Sequence, residues 1–197
     1  MKALFVTGTG TGVGKTLVSL GLCLHFKADY WKPIQTGQDK DTDFIKKFLK
    51  KQIIHPSSYD FKYPLSPNQA AQKENKRIHF HKIKAPRSSF LITEGAGGVF
   101  VPLNQKDTLM DFIQWLKYPV IVTAQSGLGT LNHSLLTLEA LRRKKIKVLG
   151  VILSGPLHQD NKKDIEKWGK TQVILELPFL KTISSQILRK HFKKIKL

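Results

Sequence analysis

The chain has 197 residues, 41% of them hydrophobic and 9% aromatic, which suits one globular domain burying roughly 70% of its unfolded surface. No stretch reaches the ~18 apolar residues of a membrane span, and the opening run ALFV meets glycines at once, so neither an anchor nor a secretory leader is expected. Thirty-three Lys+Arg against 14 Asp+Glu give a net charge of +19, but the basic pairs are scattered, without zinc-finger spacing or RNA-binding aromatics, so solvated basic faces are expected and nucleic acid is not expected as a partner.

In chain order, KALFVTG reads as a buried first strand, and a glycine-rich loop then opens a helix from about Lys15 to Phe26. That helix carries the single cysteine, Cys23, inside the apolar run LVSLGLCLHF. A lone buried thiol forms no internal disulfide and suits a reducing compartment, so a cytoplasmic location is expected. YWKPI reads as a short second strand with Pro33 near its end, and TDFIKKFLKK spaces Phe44, Ile45, Phe48 and Leu49 at helical intervals. Pro56, Pro64, Pro67 and Pro86 make residues 55–87 an irregular excursion with one short helix near Asn68 to Lys73. SFLITEG, PVIVTAQ and KVLGVILSG are continuous apolar runs ending in polar residues or glycine, the pattern of parallel strands covered on both faces. LNHSLLTLEALRRK between the last two is an amphipathic helix, and TQVILELP supplies a late strand. In the tail ILRKHFKKIKL, Ile187, Leu188 and Ile195 are expected to pack on the body rather than lie on a membrane. The alternation predicts an α/β fold, a doubly wound, mainly parallel sheet flanked by helices in a single domain over residues 1–197, and the glycine-rich loop between the first strand and its helix makes it of the P-loop NTPase type. Ligands in such folds bind beyond the carboxyl ends of the strands.

The loop FVTGTGTGVGKT lies where a phosphate loop must lie, yet Thr9 stands five before Gly14 where G-x-x-x-x-G-K-[ST] wants glycine, and the nearest glycine is Gly8. A dinucleotide G-x-G-x-x-G fails, because its third position falls on Val13 or Lys15. The reading is a variant phosphate loop. Backbone N–H groups and the positive helix end make an anion site. Gly12, Val13, Gly14, Lys15, Thr16 and Leu17 form its nucleotide-binding stretch, with Lys15 neutralising the β- and γ-phosphates and the Thr16 hydroxyl on Mg2+. Magnesium needs carboxylates. Glu94 follows FLIT at a strand end, and Asp43 opens a helix in DTDF, with Asp41 and Asp39 as nearby competitors. Lys32, at a strand end beside Thr36 and Gly37, suits an anionic substrate, though a solvated lysine is the plain alternative.

FVTGTGTGVGKT, KPIQTG, TDF, SPNQAA, TEGAGGVFVPL, GLGTLNHSLLTLEAL and LPFL, in that order, resemble the dethiobiotin synthetase family, the ATP-dependent ring-closing enzymes of biotin synthesis. The resemblance covers most of residues 3–154 and thins after that. It implies that one amine of 7,8-diaminononanoate takes up CO2 as a carbamate, which attacks the ATP γ-phosphate to give a carbamic–phosphoric mixed anhydride. The second amine then closes the ureido ring. It further implies that Lys15 and Lys32 flank the reacting centre with Thr11 and Thr36 donating hydrogen bonds, and that Thr16, Asp43 and Glu94 hold Mg2+. By the same resemblance, Gly95, Gly97 and Gly98 line the substrate. Leu131, Asn132 and His133 meet its carboxylate from a neighbouring subunit, making a homodimer with composite active sites. Ser154 stands where many members carry an asparagine that reads adenine, opposite a wall of Pro178, Phe179 and Leu180, so looser nucleotide choice is expected. The rival reading is a ParA- or MinD-like P-loop ATPase acting on DNA or membrane surfaces. Such proteins commonly carry a second loop lysine, where this chain has Gly10.

Overall fold

A computed structural model describes residues 2–196. The first strand, β1 (Lys2–Gly8), runs into the glycine loop and helix α1 (Lys15–Phe26), the limits the apolar pattern predicts. YWKPI divides at Pro33, which has no N–H to donate to a sheet ladder: β2 (Asp29–Trp31) joins the main sheet, while β3 (Ile34–Thr36) leaves it. Helix α2 (Asp41–Lys46) is shorter than the spacing of Phe44, Ile45, Phe48 and Leu49 implies, but tight turns beyond it still bury Ile45 and Leu49. The proline-rich excursion holds β4 (Ile54–His55), β5 (Tyr59–Phe61), helix α3 (Pro67–Lys73) and a single 3-10 turn at Phe80–Lys82. Then follow β6 (Phe90–Gly98), α4 (Leu109–Leu116), β7 (Val120–Gln125), α5 (Thr130–Arg143), β8 (Val148–Ser154), α6 (Gln159–Gly169), β9 (Val173–Leu177) and α7 (Ser185–Phe192).

Seven strands form one parallel sheet in the order β4-β2-β6-β1-β7-β8-β9, and β3 pairs with β5 in a small parallel sheet at its side. The period-2 alternation of strands divides each apolar run between two cores. Phe5, Leu91, Val120, Val122, Val151 and Leu153 face α4 and α5 with Phe112, Leu138 and Leu141. Leu4, Val6, Ile92, Ile121 and Ile152 face α1 and α7 with Val18, Leu22, Leu188 and Phe192. Leu188 and Ile195 of the tail are buried there as the sequence predicts, while Ile187 is only partly buried. Gly21 admits the α7 contact: a Cβ at that position would lie 2.2 Å from a Phe192 ring carbon. Cys23 is fully buried in α1, and burial, reinforced by Glu94 and Asp29, pushes its thiol well above the usual range, which fits an inert core residue. Among the described residues no helix is long and apolar enough to cross a membrane.

Candidate active site

The carboxyl ends of β1, β2 and β6 open onto a cleft of about 1110 Å3. The loop after β1 forms one wall, with Gly12 (φ 75°) and Gly14 (φ 92°) in left-handed backbone that only glycine adopts freely. Gly14 immediately precedes α1, so the first turn of that helix points its free N–H groups at the cleft. Lys15, 7% exposed, folds back over its own loop and donates to the Gly10 carbonyl at 2.7 Å. Burial pulls its pKa down to about 8, with Lys32 adding repulsion and Glu94 and Asp41 opposing. An anion entering the loop meets this ammonium.

Glu94 sits at the centre. On β6 it shares the face of Ile92, and the register Tyr30↔Ile92 and Trp31↔Thr93, carried one step further, sets Lys32 opposite Glu94. Glu94 is 1% exposed; its Oε2 accepts from the Tyr30 hydroxyl at 2.9 Å, and its Oε1 lies 2.9 Å from Thr16 Oγ1 and 3.3 Å from Lys32 Nζ. Burial and then the Glu94 charge hold the Tyr30 hydroxyl protonated, so it remains a donor. The Lys32 ammonium also contacts Asp41 Oδ2. Burial alone would lower its pKa, but Glu94 and Asp41 outweigh that and hold it above the usual lysine range.

Asp41 Oδ1 also lies 2.7 Å from Thr16 Oγ1, so the hydroxyl faces two carboxylates. A hydroxyl has one proton and can donate to only one of these carboxylates at a time. Neighbouring ligands of an octahedral Mg2+ lie about 3 Å apart, so Thr16, Asp41 and Glu94 have the hard-oxygen chemistry and spacing that this ion requires. Asp43, the residue expected in that place, lines the same cleft, but its side chain is 62% exposed with Lys46 at 3.5 Å. Because α2 starts at Asp41, both carboxylates fall in its first turn; Asp41 faces Thr16 while Asp43, two residues on, lies about 200° further round the helix.

The cleft brings together Thr11, Gly12, Gly14, Lys15, Thr16, Leu17, Lys32, Thr36, Asp43, Glu94 and Gly97 from the expected set, with the competitors Asp39 and Asp41. It leaves others outside. The Gly95 α-carbon packs against Phe5 and Leu109, where a Cβ would come within 2.8 Å of a ring carbon, and Gly98 lets β6 approach the Gly8 carbonyl. Val13 covers Gly8 and is nearly buried. Ser154 ends β8 with its Oγ 2.9 Å from where a Gly14 Cβ would be, so it borders the loop directly. Phe179, 72% exposed between Pro178 and Leu180, reaches the adjacent Gly155. Leu131, Asn132 and His133 begin α5, away from the cleft lining, beside the fully exposed Leu128. Tyr30 and Gln35 went unnoticed in the sequence. Tyr30 had a signal, since it precedes Lys32 by two in a strand and therefore shares its face. Gln35 in a three-residue strand had none.

A family profile described as an AAA domain matches residues 2–186. The ATP-dependent dethiobiotin synthetase BioD of Lawsonia intracellularis (strain PHE/MN1-00) is 49% identical over 187 residues, covering 94% of this chain and 92% of its own length. The chain belongs to the ATP-dependent dethiobiotin synthetase family. The synthetase of Paramagnetospirillum magneticum is 43% identical, with 94% and 92% covered. A biotin biosynthesis bifunctional protein of Bordetella avium is 44% identical over 94% of this chain and 41% of its own. Among solved structures, a ParA family ATPase from Chlorobium tepidum TLS superposes with a TM-score of 0.55 at 13% identity, covering 98% of this chain and 92% of its own. The signal recognition particle receptor FtsY from Elizabethkingia anophelis gives 0.57 at 14%, covering 97% and 65%. At such identities these two share the fold with the synthetase family and nothing finer, so the DNA- or membrane-acting reading is not favoured.

Proposed function

We infer that this chain is an ATP-dependent ligase forming dethiobiotin in biotin synthesis, closing the ring of 7,8-diaminononanoate with CO2. The physical problem is that carbamate and triphosphate are both anions and must touch. The observation that carries the reading is a pair of buried lysines, Lys15 and Lys32, 7% and 6% exposed, lining one cleft. A phosphate loop that only cleaved ATP would have use for the first; the second serves another anion.

The triphosphate takes the loop amides of Gly12 to Thr16, and Lys15 exchanges the Gly10 carbonyl for phosphate oxygens. Mg2+, held by Thr16, Asp41 and Glu94, would screen the phosphate charge. Lys32, Thr11 and Thr36 hold the carbamate, whose oxygen attacks the γ-phosphorus and expels ADP. The second amine attacks the carbamoyl carbon, the C–O bond to phosphate breaks, and the amine proton leaves as the urea forms. Each pre-placed cation or donor of this kind is worth about 3–4 kcal/mol in such sites, and holding the second amine close adds the advantage of an intramolecular step. No side-chain nucleophile is required. Leu131, Asn132 and His133, lying outside this cleft beside exposed Leu128 and Leu136, serve the cleft of a second copy in a homodimer. Ser154, Pro178, Phe179 and Leu180 take the base. Incubation with diaminononanoate, bicarbonate, Mg2+ and ATP, followed by mass detection of the cyclic urea, tests the reading; ATP turnover without that product contradicts it.

A further inference from the structure

Gln35 is the middle residue of β3 and lies in the cleft wall next to Thr36. Ile34 before it is buried with Phe61, Ala70 and Ala71, and Gly37 after the strand turns against Pro64 with φ 86°, so the strand is pinned at both ends. Three glutamines line the cleft: Gln38 and Gln69 are exposed and meet water, whereas Gln35 is 2% exposed. Its Nε2 donates to the Thr36 carbonyl at 2.9 Å, which leaves the amide oxygen as the free end. That oxygen finds no donor among the described residues. A buried acceptor without a partner is costly and rare in a native protein. One set in the wall of a ligand cleft points to a donor that arrives with the ligand.

The donors that diaminononanoate brings are N–H groups. Its ring-closing amine sits on the carbon next to the one bearing the carbamate, and the carbamate is held beside β3 by Lys32 and Thr36. To attack, that amine must be uncharged, with its lone pair turned to the carbamoyl carbon and its N–H groups turned away. A carboxylate acceptor would favour the ammonium form, whereas a neutral amide oxygen takes an N–H without that penalty. We propose that Gln35 Oε1 accepts an N–H from the ring-closing amine and so aims its lone pair at the carbamoyl carbon. This deepens the ligase reading and rests on it. Without the acceptor the amine turns away, and water attacks the mixed anhydride instead, returning carbamate and phosphate with no ring formed. Gln35 therefore governs how much product each ATP yields, separately from how fast ATP is used.

The ratio of phosphate released to dethiobiotin formed, with diaminononanoate, bicarbonate, Mg2+ and ATP all saturating, tests the proposal. Wild type should release one phosphate per product. Gln35→Met, similar in size but lacking the acceptor, should still release phosphate while forming product about tenfold or more slowly, so the ratio climbs. A ratio that stays at one overturns the proposal, since a merely structural role slows both steps together. Gln35→Glu keeps the shape and the acceptor but adds charge, and decides the matter if the methionine variant does not fold. Its kcat should need a higher pH, with the acid limb of the profile moved up by about one unit or more; a profile matching wild type overturns the proposal equally. A wild type that turns over ATP without forming the cyclic urea defeats the ligase reading itself, an outcome distinct from either variant result.

Discussion

Glu94 accepts from Tyr30, faces Thr16 and Lys32, and is 1% exposed, so each of those groups has its position set partly by this carboxylate. Glu94→Gln keeps the shape and removes the charge; kcat for ring closure should fall by about a hundred- to thousandfold while the far-UV circular dichroism spectrum stays native. Near-normal turnover would remove Glu94 from the metal and lysine network. Asp41 and Asp43 make a sharper comparison, because the two differ by two residues and by what they touch. Asp41→Asn should raise the Mg2+ concentration needed for half activation and lower kcat, by about tenfold or more. Asp43→Asn, losing only an exposed pairing with Lys46, should change either quantity by less than about twofold. The reverse order would return the metal site to Asp43. The sequence placed an acidic residue at this helix start but could not choose among three, since the choice depends on where α2 begins, and boundaries are the least legible feature of a short helix.

At the scale of elements, the buried strands were readable because their apolar runs are continuous and end in the residues that build the site. Helix α4 was not anticipated, although Thr108 and Asp111 form a capping box in which the Asp111 carboxylate accepts from the Thr108 N–H at 2.8 Å. Helix α6 offered less, since Ile165 and Gly169 are its buried residues and the rest is polar. The β3–β5 sheet has three residues per strand, too few for a period to show. Burial pushes the Asp111 carboxyl up, but the Thr108 bonds and Lys144 outweigh that and hold it below the ordinary range. A folded pKa below the unfolded one gives stability that is present above the unfolded value and is lost as pH falls through the folded one. Asp111→Ala should therefore cost about 1 kcal/mol in urea denaturation at neutral pH, and the gap to wild type should narrow below about pH 4. A gap independent of pH would mean that the charge contributes nothing. In α1, Gly21→Ala drives a methyl into the Phe192 ring and should cost about 1–3 kcal/mol, read as a lower thermal midpoint with α7 released from protection against hydrogen exchange. An unchanged midpoint would show that α7 is only loosely attached.

The whole molecule carries a charge of +19, yet its cleft gathers acidic residues and lysines in one ion-pair network, and the family relationship explains the cleft without using that charge. Added DNA or anionic liposomes should leave ATP turnover unchanged, whereas diaminononanoate with bicarbonate should raise it. The α5 start, with Leu128 and Leu136 exposed beside Asn132 and His133, should be covered in solution by a second copy, giving a dimer in sedimentation; a monomer with full activity would contradict composite sites. The most direct test of the account follows one oxygen atom. If the carbamate attacks the γ-phosphorus and ring closure then breaks the carbon–oxygen bond, a carbamate oxygen must leave with the phosphate. With 18O-labelled CO2 in a short reaction, the account predicts one labelled oxygen in each phosphate released alongside dethiobiotin; phosphate carrying no label from CO2 would contradict it.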